Sequence, residues 1–325
     1  MKKANKTFLF LNLTLGLLIL LAYDVFHFFP TTYEEARLWL GEKALGADSI
    51  VVKVKEPSTD QNTEFSIFKK YNIWFVSGKE EDGRAHYFAD LEKIQSLLDG
   101  MAVIRKFGKT AKIMSDSEFR KDGRSFRLIL KEQNKEIADL ELGDCSYTKS
   151  ECLIRHLNTK LAYSVSTDIV SRTGEGGLDF FLTTKPFSFL SIGDLESFVY
   201  KKKDQVILSF RKKNNIWFSE YPISKAKLSN SKIDNLLLRV VSLSGLSAAT
   251  ESSLSQFKLK DTNTGESLSL VRREAGSEKE YSLTDRGSLN GTGRVLQFSP
   301  NGQYVIMPFY VWDYWQNFDI RQLEE

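Results

Sequence analysis

Phe68-Lys-Lys-Tyr-Asn-Ile-Trp-Phe-Val-Ser77 and Phe210-Arg-Lys-Lys-Asn-Asn-Ile-Trp-Phe-Ser219 carry the same Asn-Ile-Trp-Phe core, and their repetition decides how the chain is organised. A four-residue identity gains weight only if its flanks agree, and they do. Each stretch follows an apolar run, Ser49–Val54 in one case and Leu195–Tyr200 in the other, and then a second alternating strand, Phe65–Phe68 or Val206–Phe210. Basic and Asn-containing turns lead from those strands into Ile-Trp-Phe, the pattern of a β-meander.

A helix is expected after each Trp strand. Leu91, Ile94, Leu97, Leu98, Met101 and Ile104 recur at helical spacing behind Asp90, an N-cap residue. Ile233, Leu236, Leu237 and Val240 do the same behind Ser231, with Asp234 three residues on. Further strands are expected at 124–130 and 266–271, then at 160–165 and 303–309. Strands joined by short turns, with one amphipathic helix per set, predict an α+β fold. In this reading each repeated unit is a mainly antiparallel sheet with a helix packed on it. The expected divisions are an amino-terminal tip and anchor at 1–30, a linker helix at 31–48, a first unit at 49–172, a linker at 173–186 and a second unit at 187–325. A length of 325 residues suits two such units.

The anchor rests on Thr7–Tyr23, TFLFLNLTLGLLILLAY, which has no charge and is continued after Asp24 by the aromatic Val25–Phe29. From Thr7 to Phe29 a helix would span about 34 Å, enough for a hydrocarbon core of about 30 Å. A cleaved signal would need a small-x-small site. Ala22 can serve as one member, but Leu20 is too large for the other. A lipoprotein would need a Cys near the end of the run, and none is there. Lys2, Lys3 and Lys6 lie before the segment, and Asp24, Glu34 and Glu35 lie after it. This places the amino terminus in the cytoplasm, with one membrane pass and the bulk of the chain periplasmic or otherwise extracytoplasmic.

The net charge of +3 (45 Lys and Arg against 42 Asp and Glu) at first suggests a polyanion partner. Its location argues otherwise. Residues 1–30 hold three lysines and one aspartate, leaving 42 basic against 41 acidic groups in the remainder. The clusters Lys201–Lys203 and Arg211–Lys213 fall at opposite ends of one short strand and lack the interleaved aromatic ladder of a single-strand platform. They read as solvated turns, and no nucleic-acid partner is expected.

Cys145 and Cys152 are the only cysteines. In an oxidising compartment a disulfide is the favoured reading, and closing this eight-residue loop would stabilise the fold by roughly 2.5 kcal/mol. The rivals are free thiols, or a zinc site that adds His156 as C-x6-C-x3-H and lacks a fourth ligand nearby. In Phe309-Tyr-Val-Trp-Asp-Tyr-Trp315 a strand would put Tyr310, Trp312 and Tyr314 on one face, with Val311, Asp313 and Trp315 on the other. The four rings Tyr310, Trp312, Tyr314 and Trp315 are a candidate binding surface for sugars or protein, weighed against closure of the second core. No GxSxG, Walker A, HExxH or GxGxxG pattern occurs, and Gly291-Thr-Gly293 reads as a hairpin turn. The expectation is a non-catalytic protein without catalytic residues, metal or cofactor.

The order of anchor, meander, Trp strand, helix, sheet and second unit resembles the domain-of-unknown-function family 4340. The residues that carry the resemblance are LNLTLGLLILLAY at 11–23, the two Asn-Ile-Trp-Phe strands with their helices, and the junction Phe180-Phe-Leu-Thr-Thr-Lys-Pro-Phe-Ser-Phe-Leu-Ser-Ile-Gly-Asp-Leu195. The resemblance covers most of the chain, while the Cys145–Cys152 loop departs from the family pattern. It implies a membrane-anchored auxiliary or scaffolding protein of an ABC-type transport system akin to gliding-motility exporters, with transporter subunits as partners. It supplies no active site. The alternative reading of the residues is an extracytoplasmic module binding glycan or a small ligand.

Overall fold

A computed structural model describes residues 37–324 except 56–61, 79–85, 107–111, 122, 149–150, 166–168, 224–227, 256–258, 260, 261–264, 275 and 290, together with 12, 14 and 15. The expected membrane anchor therefore lies outside the described residues, apart from those three positions. Among the described residues no helix is long and apolar enough to cross a membrane.

The protein is built mainly from two antiparallel sheets with few helices. After a two-residue strand β1 (Arg37–Leu38), the first sheet begins with a meander of β2 (Ser49–Lys55), β3 (Asn62–Lys70) and β4 (Ile73–Gly78). The short β5 (Tyr87–Phe88) and helix α1 (Leu91–Ala102) follow, then β6 (Arg105–Lys106), β7 (Lys112–Ile113) and the one-turn α2 (Asp116–Phe119). Four strands complete the sheet: β8 (Ser125–Glu132), β9 (Lys135–Cys145), β10 (Cys152–His156) and β11 (Leu161–Val165). The second sheet uses β12 (Leu195–Lys202), β13 (Gln205–Lys213), β14 (Ile216–Tyr221), helix α3 (Asn230–Val241), β15 (Ser247–Ala249) and the one-turn α4 (Glu251–Leu254). It then uses β16 (Glu266–Glu274), β17 (Ser277–Leu289), β18 (Gly293–Ser299) and β19 (Tyr304–Met307), and α5 (Phe309–Gln316) follows.

The spatial orders are β5-β4-β3-β2-β8-β9-β10-β11-β7 and β14-β13-β12-β16-β17-β18-β19-β15. Leaving out β5, the two orders match strand for strand, including the short strand that returns to the far edge. The registers agree as well: Lys69 lies opposite Trp74, and Lys212 lies opposite Trp217. Two-residue turns at Tyr71-Asn72 and Asn214-Asn215 set these registers. All four residues have φ between 49° and 62°, the left-handed geometry of a tight hairpin, in which Asn is favoured.

Each helix buries one stripe against its sheet. Ile94, Leu97, Leu98 and Met101 of α1 sit over Ile50, Val52, Phe65 and Trp74, while Ile233, Leu236, Leu237 and Val240 of α3 sit over Phe198, Tyr200, Phe210 and Trp217. Each such side chain contributes about 1.5–3 kcal/mol on burial. Asp90 caps α1, its Oδ1 accepting from the backbone N–H groups of Glu92 (3.0 Å) and Lys93 (3.3 Å). The second helix departs from expectation, because it begins two residues earlier with Ser229 as N-cap and no side-chain capping bond. Asn230 and Asp234 instead face the Trp strand, accepting from the Trp217 backbone N–H (2.7 Å) and indole Nε1–H (2.9 Å).

Two further expectations are corrected. Of the expected linker helix at 31–48, the described residues 37–48 hold β1, paired with β6, and a 3-10 turn at Gly41–Ala44, and Gly41 at φ 56° interrupts a helix at that point. The aromatic stretch 309–315 is helix, not strand: Pro308 ends β19 and stands as N-cap, and the chain turns back over the core.

The sheets are tied together by the segment between them. Thr173, Phe181, Leu182, Thr183 and Phe187 are buried, and backbone bonds run from Asp90 N–H to Phe181 O (2.7 Å) and from Thr183 N–H to Phe88 O (3.0 Å). Toward the second sheet, Gln303 Nε2 donates to Thr183 O (2.7 Å) and Gly245 N–H to Thr184 O (2.8 Å). Side chains are also exchanged, since Phe88 packs on the second core and Ala248 is buried within the first.

Candidate functional site

A cleft of about 630 Å³ opens where the outer edge of the first sheet meets the end of the second. Its position follows from β5. Pairing puts Phe88 opposite Phe75, rings 5.2 Å apart, and carries Phe88 onto Phe189, where the rings stack at 4.4 Å and 17°. Phe68 extends this wall by stacking on Phe75 (5.9 Å), with His86 edge-on to Phe68 at 5.1 Å. Tyr281 closes the other side, 5.0 Å from Phe189.

Charge gathers around this aromatic floor. The turn from β16 to β17 brings Arg272, Glu274, Lys279 and Tyr281 together. Glu274 accepts from Arg272 Nε (2.5 Å), Tyr281 Oη (2.5 Å) and Lys279 Nζ (3.2 Å). Arg272 lies 5.7 Å from the Phe189 ring and donates to that residue's carbonyl (3.4 Å). Burial by itself would raise the Glu274 carboxyl, but the bonds from Tyr281, Lys279 and Arg272 outweigh it and hold the group below the ordinary glutamate range. Burial and the bond to Glu274 push the Tyr281 hydroxyl up. Burial opposes the charged form of Lys279, yet its bonds to Glu274 and Tyr281 raise it overall. The depressed Glu274 therefore adds stability that is complete above the unfolded carboxyl range and is lost as pH falls through its folded value. At neutral pH the cluster is a fixed carboxylate, two fixed cations and a neutral phenol. It is suited to orienting a bound group and not to carrying protons.

Lys70, Tyr71, Arg273 and Asp194 complete the rim, with Arg273 3.9 Å from Glu196. None of these cleft residues was among the candidate binding residues of the sequence. The duplicated strand that supplies Phe75 was readable, but the meeting of Phe88 with Phe189 depends on long-range packing.

Cys145 and Cys152 are joined in a disulfide that links the end of β9 to the start of β10. With both sulfurs bonded to each other, the three-ligand zinc arrangement does not form, and His156 packs edge-on to Trp39 at 4.8 Å. Among the described residues no group of three or more His, Cys, Asp or Glu could hold a metal ion. The carboxyl-terminal rings do not form one surface. In helix α5, Trp312 and Trp315 are three positions apart and share the buried stripe (0% and 2% exposed), Tyr314 is half-buried beneath Arg239, and Tyr310 is 78% exposed. One residue of each basic cluster is drawn into ion pairs: Lys202 lies 3.3 Å from the buried Glu266, and Arg211 lies between Glu220 (3.9 Å) and Glu278 (3.3 Å).

Arg155 anchors a second charged site in the first sheet. It is 7% exposed, bonded to Glu141 (2.6 Å) and Asp116 (2.7 Å), and lies 4.2 Å from the Phe119 ring. This arrangement fastens α2 to β9 and β10.

No family model, curated protein or solved structure matches the chain.

Proposed function

We propose that this chain is a membrane-anchored, extracytoplasmic auxiliary or scaffolding protein made of two copies of one α+β unit, serving an ABC-type transport system. The observation that carries the reading is the tie between the sheets. Two sheets of one strand order exchange Phe88 and Ala248 and share a buried connecting segment, so the body presents fixed surfaces to a partner. The apolar, uncharged Thr7–Tyr23 supports the anchor, and the basic residues ahead of it support an amino terminus in the cytoplasm. Solubilising native membranes in mild detergent and isolating the intact chain tests the proposal. An ATPase and a permease recovered in fixed ratio are expected. Recovery of the chain alone, or from the soluble fraction, overturns it.

The cleft favours a second reading, a module that binds a small ligand between the units. Its aromatic floor and pinned Arg272–Glu274–Lys279 cluster offer stacking and charge recognition together. The cleft takes the place of the carboxyl-terminal rings as the surface for such a ligand, because Trp312 and Trp315 are inside the core.

A further inference from the structure

The same place in the two sheets differs in polarity. In the first sheet Val52 lies opposite Phe65 and Leu128, and Phe126 lies opposite Val54, with all five side chains buried. In the second, the matching register puts Tyr200 opposite Leu208 and Leu268, and Glu266 opposite Lys202. Tyr200 and Glu266 are buried too, at 1% and 0% exposed. The second unit therefore buries a phenol and a carboxylate where the first is filled by Val52 and Phe126, and polar groups are costly to bury without full pairing.

A cavity of about 400 Å³ lies against Tyr200, within the second unit and apart from the cleft. Leu208 and Trp315 line it from the core, and Pro222, Phe318 and Ile320 line it nearer the surface. Trp315 Nε1–H is shut from solvent and has no hydrogen-bond partner among the described residues. Tyr200 Oη, next to the Glu266 carboxylate, is shut from solvent as well and meets no partner there in hydrogen-bonding geometry. Burial and that carboxylate push the Tyr200 hydroxyl up, which keeps it a proton donor. Two buried donors at one cavity call for an acceptor.

We propose that this cavity binds a small neutral ligand with an apolar body and a carbonyl oxygen, which accepts from the Trp315 indole and the Tyr200 hydroxyl. The volume falls within the ~300–1,000 Å³ of small-molecule sites. Leu208, Pro222 and Phe318 suit the apolar body. The charge follows from the lining, whose described residues include no Lys, Arg or His and whose one carboxylate, Asp319, is held by Arg321 (2.7 Å). With Glu266 buried beside Tyr200, an anionic ligand is disfavoured. Since both donors are shut from solvent, the ligand reaches them by displacing Phe318, the half-buried ring that follows α5 and lies 6.3 Å from that of Trp315. The inference concerns the second unit alone and goes beyond both functional readings above.

Magnetic resonance of the indole N–H groups in the full chain, in mild detergent, tests it with benzamide as probe. The Trp315 signal is expected to shift saturably, with half-saturation at about 1 mM. Trp312 Nε1 also lacks a partner among the described residues but is not among the described residues lining the cavity, so its signal should stay in place. Benzoate should bind at least about tenfold more weakly. Tyr200→Phe removes one donor with little change in shape and should weaken benzamide about threefold, read on the same Trp315 signal. Trp315→Phe should weaken it about tenfold, read on the ligand's own resonances. The proposal is overturned by no saturable shift, by a Trp312 signal that moves in step with Trp315, by benzoate binding as tightly as benzamide, or by affinity unchanged in both variants. A water contact to the Trp315 N–H that persists in saturating benzamide also overturns it, marking the cavity as a site for water only.

Discussion

The first and second sheets share an order of strands but are finished by different means. After β11 the chain of the first unit runs into the connecting segment, whose Ile169 and Phe181 are both 0% exposed. After β19 the second unit turns into α5, which seals its core with Trp312 and Trp315. The first unit carries a disulfide and caps its long helix α1 with the Asp90 side chain, whereas the matching helix α3 of the second unit starts without a side-chain capping bond. The common meander, helix and sheet specify the architecture, while the closures are local solutions to leftover apolar surface.

The comparison breaks most sharply at the second closure. Trp312→Ala is expected to cost about 3–5 kcal/mol in denaturant or thermal unfolding, while Tyr314→Ala, at a half-buried ring on the same helix, costs far less. Equal losses would show that α5 does not close the core through its tryptophan stripe. Removing the disulfide with Cys145→Ser and Cys152→Ser together should cost roughly 2.5 kcal/mol, with faster hydrogen exchange in β9 and β10 and no change in β17 and β18. A uniform change across both sheets would contradict its local role. The helix caps give the finest contrast. Asp90→Ala should lose about 1 kcal/mol and Ser229→Ala only a few tenths, because only Asp90 accepts backbone hydrogen bonds.

The repeated meanders were legible because β-period alternation and the Asn turns coincide with tertiary pairing. In α1 the apolar period and Asp90 pointed to the same boundary. The second helix misled because Ser231 and Asp234 resemble a cap, yet Asp234 is used by the Trp217 indole. Strands β9 and β17 were missed, although Ala138, Leu140 and Leu142 alternate with Ile137, Asp139 and Glu141 in the pattern of a half-buried strand. The stretch 309–315 was read at period two because aromatic residues favour strands. Pro308 was the available sign of a break, and burial of Trp312 with Trp315 then selected the helix. The cleft had no local signature, since Phe88, Phe189 and Tyr281 meet only after both sheets have formed.

The exchanged ring also sets an order of assembly. Synthesis runs from the amino end at about 5–20 residues per second, so Phe88 is made roughly 10–40 s before Phe298, against which it packs at 5.7 Å. For that interval the earlier half holds an aromatic side chain that has Phe75 beside it but lacks its later neighbour Phe298. A nascent chain halted after its first sheet would carry a sticky apolar knob, which makes the later half the natural guardian of the earlier one.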